Sequence, residues 1–280
     1  KDGKFKGEYI FINDGSNDNT LENLLQIKSE FSNEAVFKII NFSRNFGHAA
    51  AVTAGCSQCT GDAIVLMDTD MQDDPSAVPK FLAAHKEGFE VVYSVRSSRQ
   101  ESQLLKFLFT SYYKIFSRIS RLEVPKDAGN FGLIDKRVLN EINAMEEHNR
   151  YFPGLRAWVG FKQTGIDVPR RARVDGVSRA GLMGMFRLAL DGIISFSNFP
   201  LRLAFLFSFI MGLVGMTGIA IIVGIKIYTE QAIEMWASIM TTVIFIGSIQ
   251  FLFIGLLGEY VGRIYAEVKK RPHYVIREIL

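Results

Sequence analysis

The sequence predicts an α/β domain on a mostly parallel sheet, followed by a two-helix hairpin long enough to cross a bilayer. Three observations carry this. Short apolar runs alternate with helix-like segments at βαβ spacing from Glu8 to Val95. One of these runs, Ala63 to Met67, has no polar alternation, as expected of a buried parallel strand, and ends in Asp68, Asp70, Asp73 and Asp74. Two later stretches, Leu203 to Ile225 and Met235 to Gly258, contain no charged residue.

The elements follow in order. Glu8 to Asn13 reads as a strand, and Asp14-Gly15-Ser16 as a turn. Ser16, Asn17 and Asp18 are N-cap candidates for a helix running to about Phe31. Val36 to Phe42 is a second strand and Arg44-Asn45-Phe46-Gly47 a loop. Ala49 to Gln58 is a helix of small residues that can pack close to a sheet. Pro75 to Lys86 is a helix, Glu90 to Val95 a strand, and Asn130 to Ile134 another short strand. Between them, about 100–122 carries a broad apolar face with Lys106, Lys114, Arg118 and Arg121 on the polar side. Two readings are open for it: a core helix, or a helix lying in a membrane interface. Residues 182–196 are amphipathic and aromatic and read as a second interfacial helix.

The charge-free stretches each exceed what a helix needs to cross about 30 Å of hydrocarbon. The link between them carries Glu230 and Glu234, whereas the outer flanks carry Arg202, Arg263, Lys269, Lys270 and Arg271. The positive-inside rule then puts both flanks in the cytosol. The expected organisation is a cytosolic domain over 1–198, two transmembrane helices within 199–262 (about 203–225 and 235–258), and a basic cytosolic tail over 263–280. The chain begins at Lys1 without a signal peptide pattern, with strand character by Tyr9, and a segment ahead of it is expected to be missing.

Composition narrows the class. Of 280 residues, 48% are hydrophobic, which is high for a soluble enzyme, and a net charge of +3 says little about partners. No nucleic acid is expected among them. The only cysteines, Cys56 and Cys59, are spaced Cys-x-x-Cys, but no second pair lies at zinc spacing, so they read as small buried residues.

Asp68 and Asp70 stand at the carboxyl end of a strand, the edge where ligands of open α/β sheets bind. Two carboxylates there attract a hard divalent cation that keeps waters and shares substrate phosphates. A solvated turn is the alternative. At the other end of the soluble part, Arg170, Arg171, Arg173, Arg179, Arg187 and Arg202 face only Asp175 and Asp191. Sugar transfer from a nucleotide sugar to a lipid phosphate uses both features. The metal neutralises the leaving diphosphate, and planar guanidinium groups hold the anionic acceptor.

At this point the chain resembles the family 2 glycosyltransferases that act on polyprenyl phosphate, over nearly its whole length. Asn13-Asp14-Gly15-Ser16 resembles their Asp-Asp-Gly-Ser, with Asn13 in place of the first Asp. Arg44-Asn45-Phe46-Gly47, with Ala49-Ala50 and Ala54-Gly55, resembles Arg-Asn-x-Gly…Ala-Gly. Asp68-Thr-Asp70-Met-Gln72-Asp73 resembles Asp-x-Asp-x-Gln-Asp. Val92 to Arg96 resembles Val-x-Gly-x-Arg, with Ser94 replacing Gly. Asp127 to Phe131 resembles Asp-x-Gly-x-Phe, and Arg173 to Arg179 resembles Arg-x-x-Gly-x-Ser-Lys, with Arg179 replacing Lys. The family's Pro-x-Tyr-Asn-Glu first strand is not found.

The resemblance implies a GT-A-type, Rossmann-like fold and a set of roles. Asp14 contacts the nucleoside with Arg44 nearby, and Asp68 lies near ribose, diphosphate and metal. Asp68, Asp70 and Gln72 ligate Mg²⁺ or Mn²⁺. Arg96, Arg173, Ser178 and Arg179 hold the acceptor phosphate, and Asp127 sits at the reacting centre as a positioning group or weak base. Each has a plainer reading: Arg96 as a surface cation, Arg173 and Arg179 as anchors for anionic lipid, Asp127 as a loop cap. His48 reads as incidental, and Arg156 and Trp158 as structural.

The implied reaction is a single inverting displacement giving a lipid-linked sugar, with UDP-glucose the first choice of donor and GDP-mannose or a UDP-aminoarabinose the alternatives. A homo-oligomer through the membrane region is also expected. A processive polysaccharide synthase is the enzyme alternative, but its Gln-x-x-Arg-Trp motif is absent. A non-catalytic membrane scaffold is the other.

Overall fold

The computed structural model describes residues 7–31, 35–96, 118, 128–169, 194, 197, 199–229 and 236–280. The chain divides into two units, 1–192 with 270–280, and 193–269.

The first unit holds two sheets. In one, β1 (Glu8–Asn13) pairs in parallel with β2 (Val36–Phe42), in register from Glu8 opposite Val36 to Asn13 opposite Asn41. Helix α1 (Thr20–Phe31) connects them, and the Asp18 carboxylate accepts from the Thr20 N–H at 3.1 Å, so Asp18 is the cap among the three candidates. Helix α2 (His48–Gln58) buries Ala50, Ala54, Gly55 and Cys56. Its small side chains let it lie close to β2, where Ala50 and Ala54 pack with Ile40 and Phe42. The Cys56 thiol is pushed up to about 12 by burial, and both cysteines are free.

The second sheet has the order β3, β5, β4, β6, from β3 (Ala63–Leu66), β4 (Val91–Arg96), β5 (Ala128–Asp135) and β6 (Gln163–Val168). A 3-10 turn, Pro75–Ala77, leads into α3 (Val78–Lys86), with Asp74 capping it by accepting from the Ser76 N–H at 3.0 Å. α3 lays Phe81 on this sheet, and its ring meets Phe131 edge-on at 5.0 Å. Fully burying such a ring contributes roughly 2–3 kcal/mol. Helix α4 (Lys136–Ala144), capped by Asp135, and helix α5 (Phe152–Trp158) follow.

The expectation of a mostly parallel sheet is corrected here. β1–β2 and β4–β6 are parallel, but β3–β5, β4–β5 and β2–β7 are antiparallel, β7 being Ile276–Ile279. Ala63 to Met67 was expected to be a parallel strand. Its apolar run reflects packing on the sheet's core, with Ile64 buried and Ala63 and Val65 half-buried, and that holds whatever the direction of the neighbouring strand. β5 starts at the edge where β4 ends, as an antiparallel neighbour does, and no crossover back to the other edge is needed. Among the described residues β1 pairs only with β2, and β3 only with β5.

β7 is a strand that sequence reasoning did not assign. It joins β2 at the side away from β1. Asn41 Nδ2 donates to Glu278 Oε1 at 2.8 Å, and Tyr274 stacks on Phe42 at 5.1 Å. Ile276 to Ile279 carries Arg277 and Glu278 at its centre, so four residues offered no apolar run to read.

The second unit is a pair of helices, α6 (Phe199–Thr229) and α7 (Trp236–Lys269). Phe199–Gly218 and Thr242–Lys269 are long and apolar enough to cross a membrane, each with hydropathy 1.8 and 0% buried. Phe207 meets Phe253 at 5.8 Å, and Tyr260 Oη donates to the Ser197 carbonyl at 3.1 Å. α7 continues past Gly258, and Arg263 pairs with Glu259 one turn back at 2.9 Å, an arrangement that supports helix. The interfacial helices expected at 100–122 and 182–196 lie outside the described residues, apart from positions 118 and 194.

Candidate active site at the strand ends

β3, β4 and β6 run in one direction and β5 in the other. The carboxyl ends of β3, β4 and β6 therefore share an edge with the start of β5. Asp68 and Asp70 follow β3 at that edge, Arg96 ends β4, and Gly129 and Asn130 open β5.

The acidic turn is folded on itself. Asp68 donates its backbone N–H to Asp73 Oδ2 at 3.2 Å, and the Gln72 N–H is donated to Asp70 Oδ1 at 3.2 Å. Met71 has φ 61°, an uncommon left-handed conformation for a side-chain-bearing residue. It turns the chain sharply between Asp70 and Gln72. Asp70 and Asp73 thus both brace the turn, and Asp74 caps the helical turn that follows.

Among the described residues, no group of three His, Cys, Asp or Glu side chains could enclose a metal ion. What the turn offers is two carboxylates and one amide oxygen within five residues, all half-buried. That donor set is all hard oxygen. It fits a Mg²⁺- or Mn²⁺-type ion that takes a few protein ligands and fills its shell with water and phosphate.

Asp14, at the end of β1, grips the loop after β2. Its Oδ1 accepts from the Phe46 N–H at 2.7 Å and its Oδ2 from the Gly47 N–H at 2.9 Å. Gly15 makes the approach feasible: with φ +66°, its missing Cβ would lie 2.4 Å from the Arg44 carbonyl carbon. Arg44 itself is exposed, lies 4.0 Å over the Phe46 ring, and donates to the Asn45 carbonyl. Asn13, where the family motif has Asp, is buried and donates to Asn41 Oδ1 at 3.0 Å while accepting from the Ser16 N–H.

His48, which by sequence reads as incidental, has neighbours from two other elements. As the first residue of α2, its Nε2 lies 3.1 Å from Asn130 Nδ2 and 3.9 Å from Asp68 Oδ1. His48 therefore links the end of the Asp14-held loop to the start of β5, with the acidic turn close by. Sequence reasoning missed both His48 and Asn130. The signal available was position: His48 follows Gly47 at a helix start, and Asn130 lies inside the Asp127–Phe131 motif.

The structure brings Asp14, Asp68, Asp70 and Gln72 into this region, and it places Arg96 at the edge by its backbone. Asp127, Arg173, Ser178 and Arg179 lie outside the described residues.

Comparison with known proteins follows the same residues. The profile of Glycosyl transferase family 2 matches residues 5–142. The chain is 38% identical to an uncharacterized glycosyltransferase, YkcC, of Bacillus subtilis, over 97% of this chain and 83% of the relative. It is 34% identical to a prophage bactoprenol glucosyl transferase homolog of Escherichia coli, over 98% of this chain and 89% of that one. It is 32% identical to the bactoprenol glucosyl transferase of Shigella phage SfII, over 98% and 88%.

Proposed function

The chain belongs to glycosyl transferase family 2, and from that premise we propose that it moves one glucose from UDP-glucose to polyprenyl phosphate at the cytosolic face of a bacterial plasma membrane. The observation that carries this is the reach of the likeness to bactoprenol glucosyl transferases, 98% of the chain, which takes in both the acidic turn and the apolar hairpin.

The reaction is one displacement. An oxygen of the acceptor phosphate attacks the anomeric carbon, the bond from that carbon to the nucleoside diphosphate breaks, and the configuration inverts. A phosphate monoester has its second pKa at about 6, so it arrives largely ionised and proton removal does not limit the rate. Asp68, Asp70 and Gln72 would hold Mg²⁺ or Mn²⁺, which would supply positive charge against the diphosphate leaving group. Asp14 and the loop it holds, with Arg44, receive the nucleoside. Arg96, Arg173, Ser178 and Arg179 hold the acceptor phosphate, and Asp127 positions it. The basic flanks of the hairpin lie in the cytosol, with Glu230 and Glu234 outside, and the hairpin also supports a homo-oligomer.

The test is incubation of purified protein with undecaprenyl phosphate, Mn²⁺ or Mg²⁺, and separately labelled UDP-glucose, UDP-galactose, UDP-N-acetylglucosamine and GDP-mannose, counting the lipid fraction. Label from UDP-glucose alone is expected. Label only from another donor would replace the sugar, and label in a polymer would replace the reaction.

A further inference from the structure

Arg156, on α5, is 1% exposed, the largest fully buried side chain among the described residues. Its Nη1 donates to the Gly129 carbonyl at 3.3 Å, and its guanidinium carbon lies 4.8 Å over the Tyr93 ring. Its Nε and Nη2 have no hydrogen-bond partner. Burial pulls the group down to about 10, which leaves it charged at neutral pH, and among the described residues the titratable groups that act on it are Tyr93 and Tyr151, with no carboxylate. A buried charge held this way is unfavourable for the fold alone, and an apolar residue of similar volume is often equal or better there.

Its location is at the strand-end edge. Gly129 opens β5, the next residue is Asn130, and Asn130 meets His48 beside Asp68.

We propose that Arg156 is a positioning residue for the transfer reaction: it pins the Gly129 carbonyl, so fixing Asn130 and His48 against the acidic turn, and its unbalanced charge prepares that edge for the phosphate groups of the substrates. This rests on the glycosyltransferase reading above. The residue acts through Gly129 and its field, because its nitrogens are closed to direct contact.

The test is the full-length protein with Arg156→Met and Arg156→Lys. Readouts are kcat, KM for UDP-glucose and for undecaprenyl phosphate, and Tm with and without UDP. For Arg156→Met, displacement at the edge lowers kcat by about 100-fold or more. Its ligand-free Tm stays within about 3 °C of wild type or rises, and the Tm gain on adding UDP shrinks. Arg156→Lys keeps the charge and one donor, so it recovers part of the lost kcat. A larger KM effect for UDP-glucose or for the lipid shows which phosphate the charge serves. A folded Arg156→Met with wild-type kcat overturns the proposal. So does a lowered Tm or failure to fold, which makes Arg156 structural. Wild-type protein inactive with every donor would instead fail the proposed function, and the UDP-dependent Tm still tests Arg156.

Discussion

Replacing Asp14 by alanine tests how the nucleotide end of the site is built. The Asp14 carboxylate takes the Phe46 and Gly47 N–H groups at 2.7 and 2.9 Å. Hydrogen bonds to a charged group contribute about 1.5–3 kcal/mol each. Asp14 is half-buried, so water replaces part of that, and a total near 2–3 kcal/mol is expected. For a domain of this size that corresponds to a Tm lower by about 5–10 °C. The assay is thermal unfolding followed by circular dichroism, with hydrogen exchange at the Phe46 and Gly47 amides. Both amides should lose protection in Asp14→Ala. Asp14→Asn keeps one acceptor oxygen and sets its NH₂ against the second N–H, so it falls between. KM for UDP-glucose should rise in both, because the loop also carries Arg44 and leads into His48. A Tm within 1 °C of wild type, with both amides still protected, would refute this account of the loop.

Three further predictions follow from other parts of the structure. Gly132→Ala places a Cβ 2.3 Å from the Val92 carbonyl oxygen, a backbone atom that cannot swing aside, so a loss of about 3 kcal/mol is expected in chemical denaturation; an unchanged midpoint would contradict the β4–β5 packing. Asp70→Ala, or chelation of the wild-type enzyme with EDTA, should lower transfer by more than about 100-fold, with Mn²⁺ restoring only the chelated wild type; full activity in EDTA would remove the metal role. Burial raises the Asp135 carboxyl, but the His85 hydrogen bond and the Arg137 N–H lower it by more, so its folded value is below the usual one. Its contribution is therefore present above about pH 4 and lost as pH falls through the folded value. Asp135→Asn should flatten the fall in Tm below pH 4, and parallel Tm profiles would deny the linkage.

What could be read from the residues alone was set by local chemistry. The strands Glu8–Asn13 and Val36–Phe42 and the small-residue helix after Gly47 are dictated by apolar runs and caps close in sequence. The acidic turn was legible because its carboxylates follow an apolar strand directly. Sheet direction was not legible, since the apolar residues of β3 answer to the core they pack on, which parallel and antiparallel neighbours provide alike. β7 escaped notice because Arg277 and Glu278 occupy half of it, and its place beside β2 depends on Asn41 and Phe42, more than 230 residues earlier. The neighbours of His48 were hidden for the same reason: Asp68 and Asn130 come from two other elements. The burial of Arg156 was not legible either, because a sequence shows that a residue is charged but not where it lies in the fold.

The central claim is a single inverting transfer onto a lipid phosphate, and the anomeric configuration of the product tests it most directly. Glucose is α-linked in UDP-glucose. Nuclear magnetic resonance of the purified lipid product should show one β-glucose joined through phosphate to the polyprenol, with one UDP released per lipid consumed. An α-linked product, more than one sugar per lipid, or UDP released without lipid-linked glucose would contradict it.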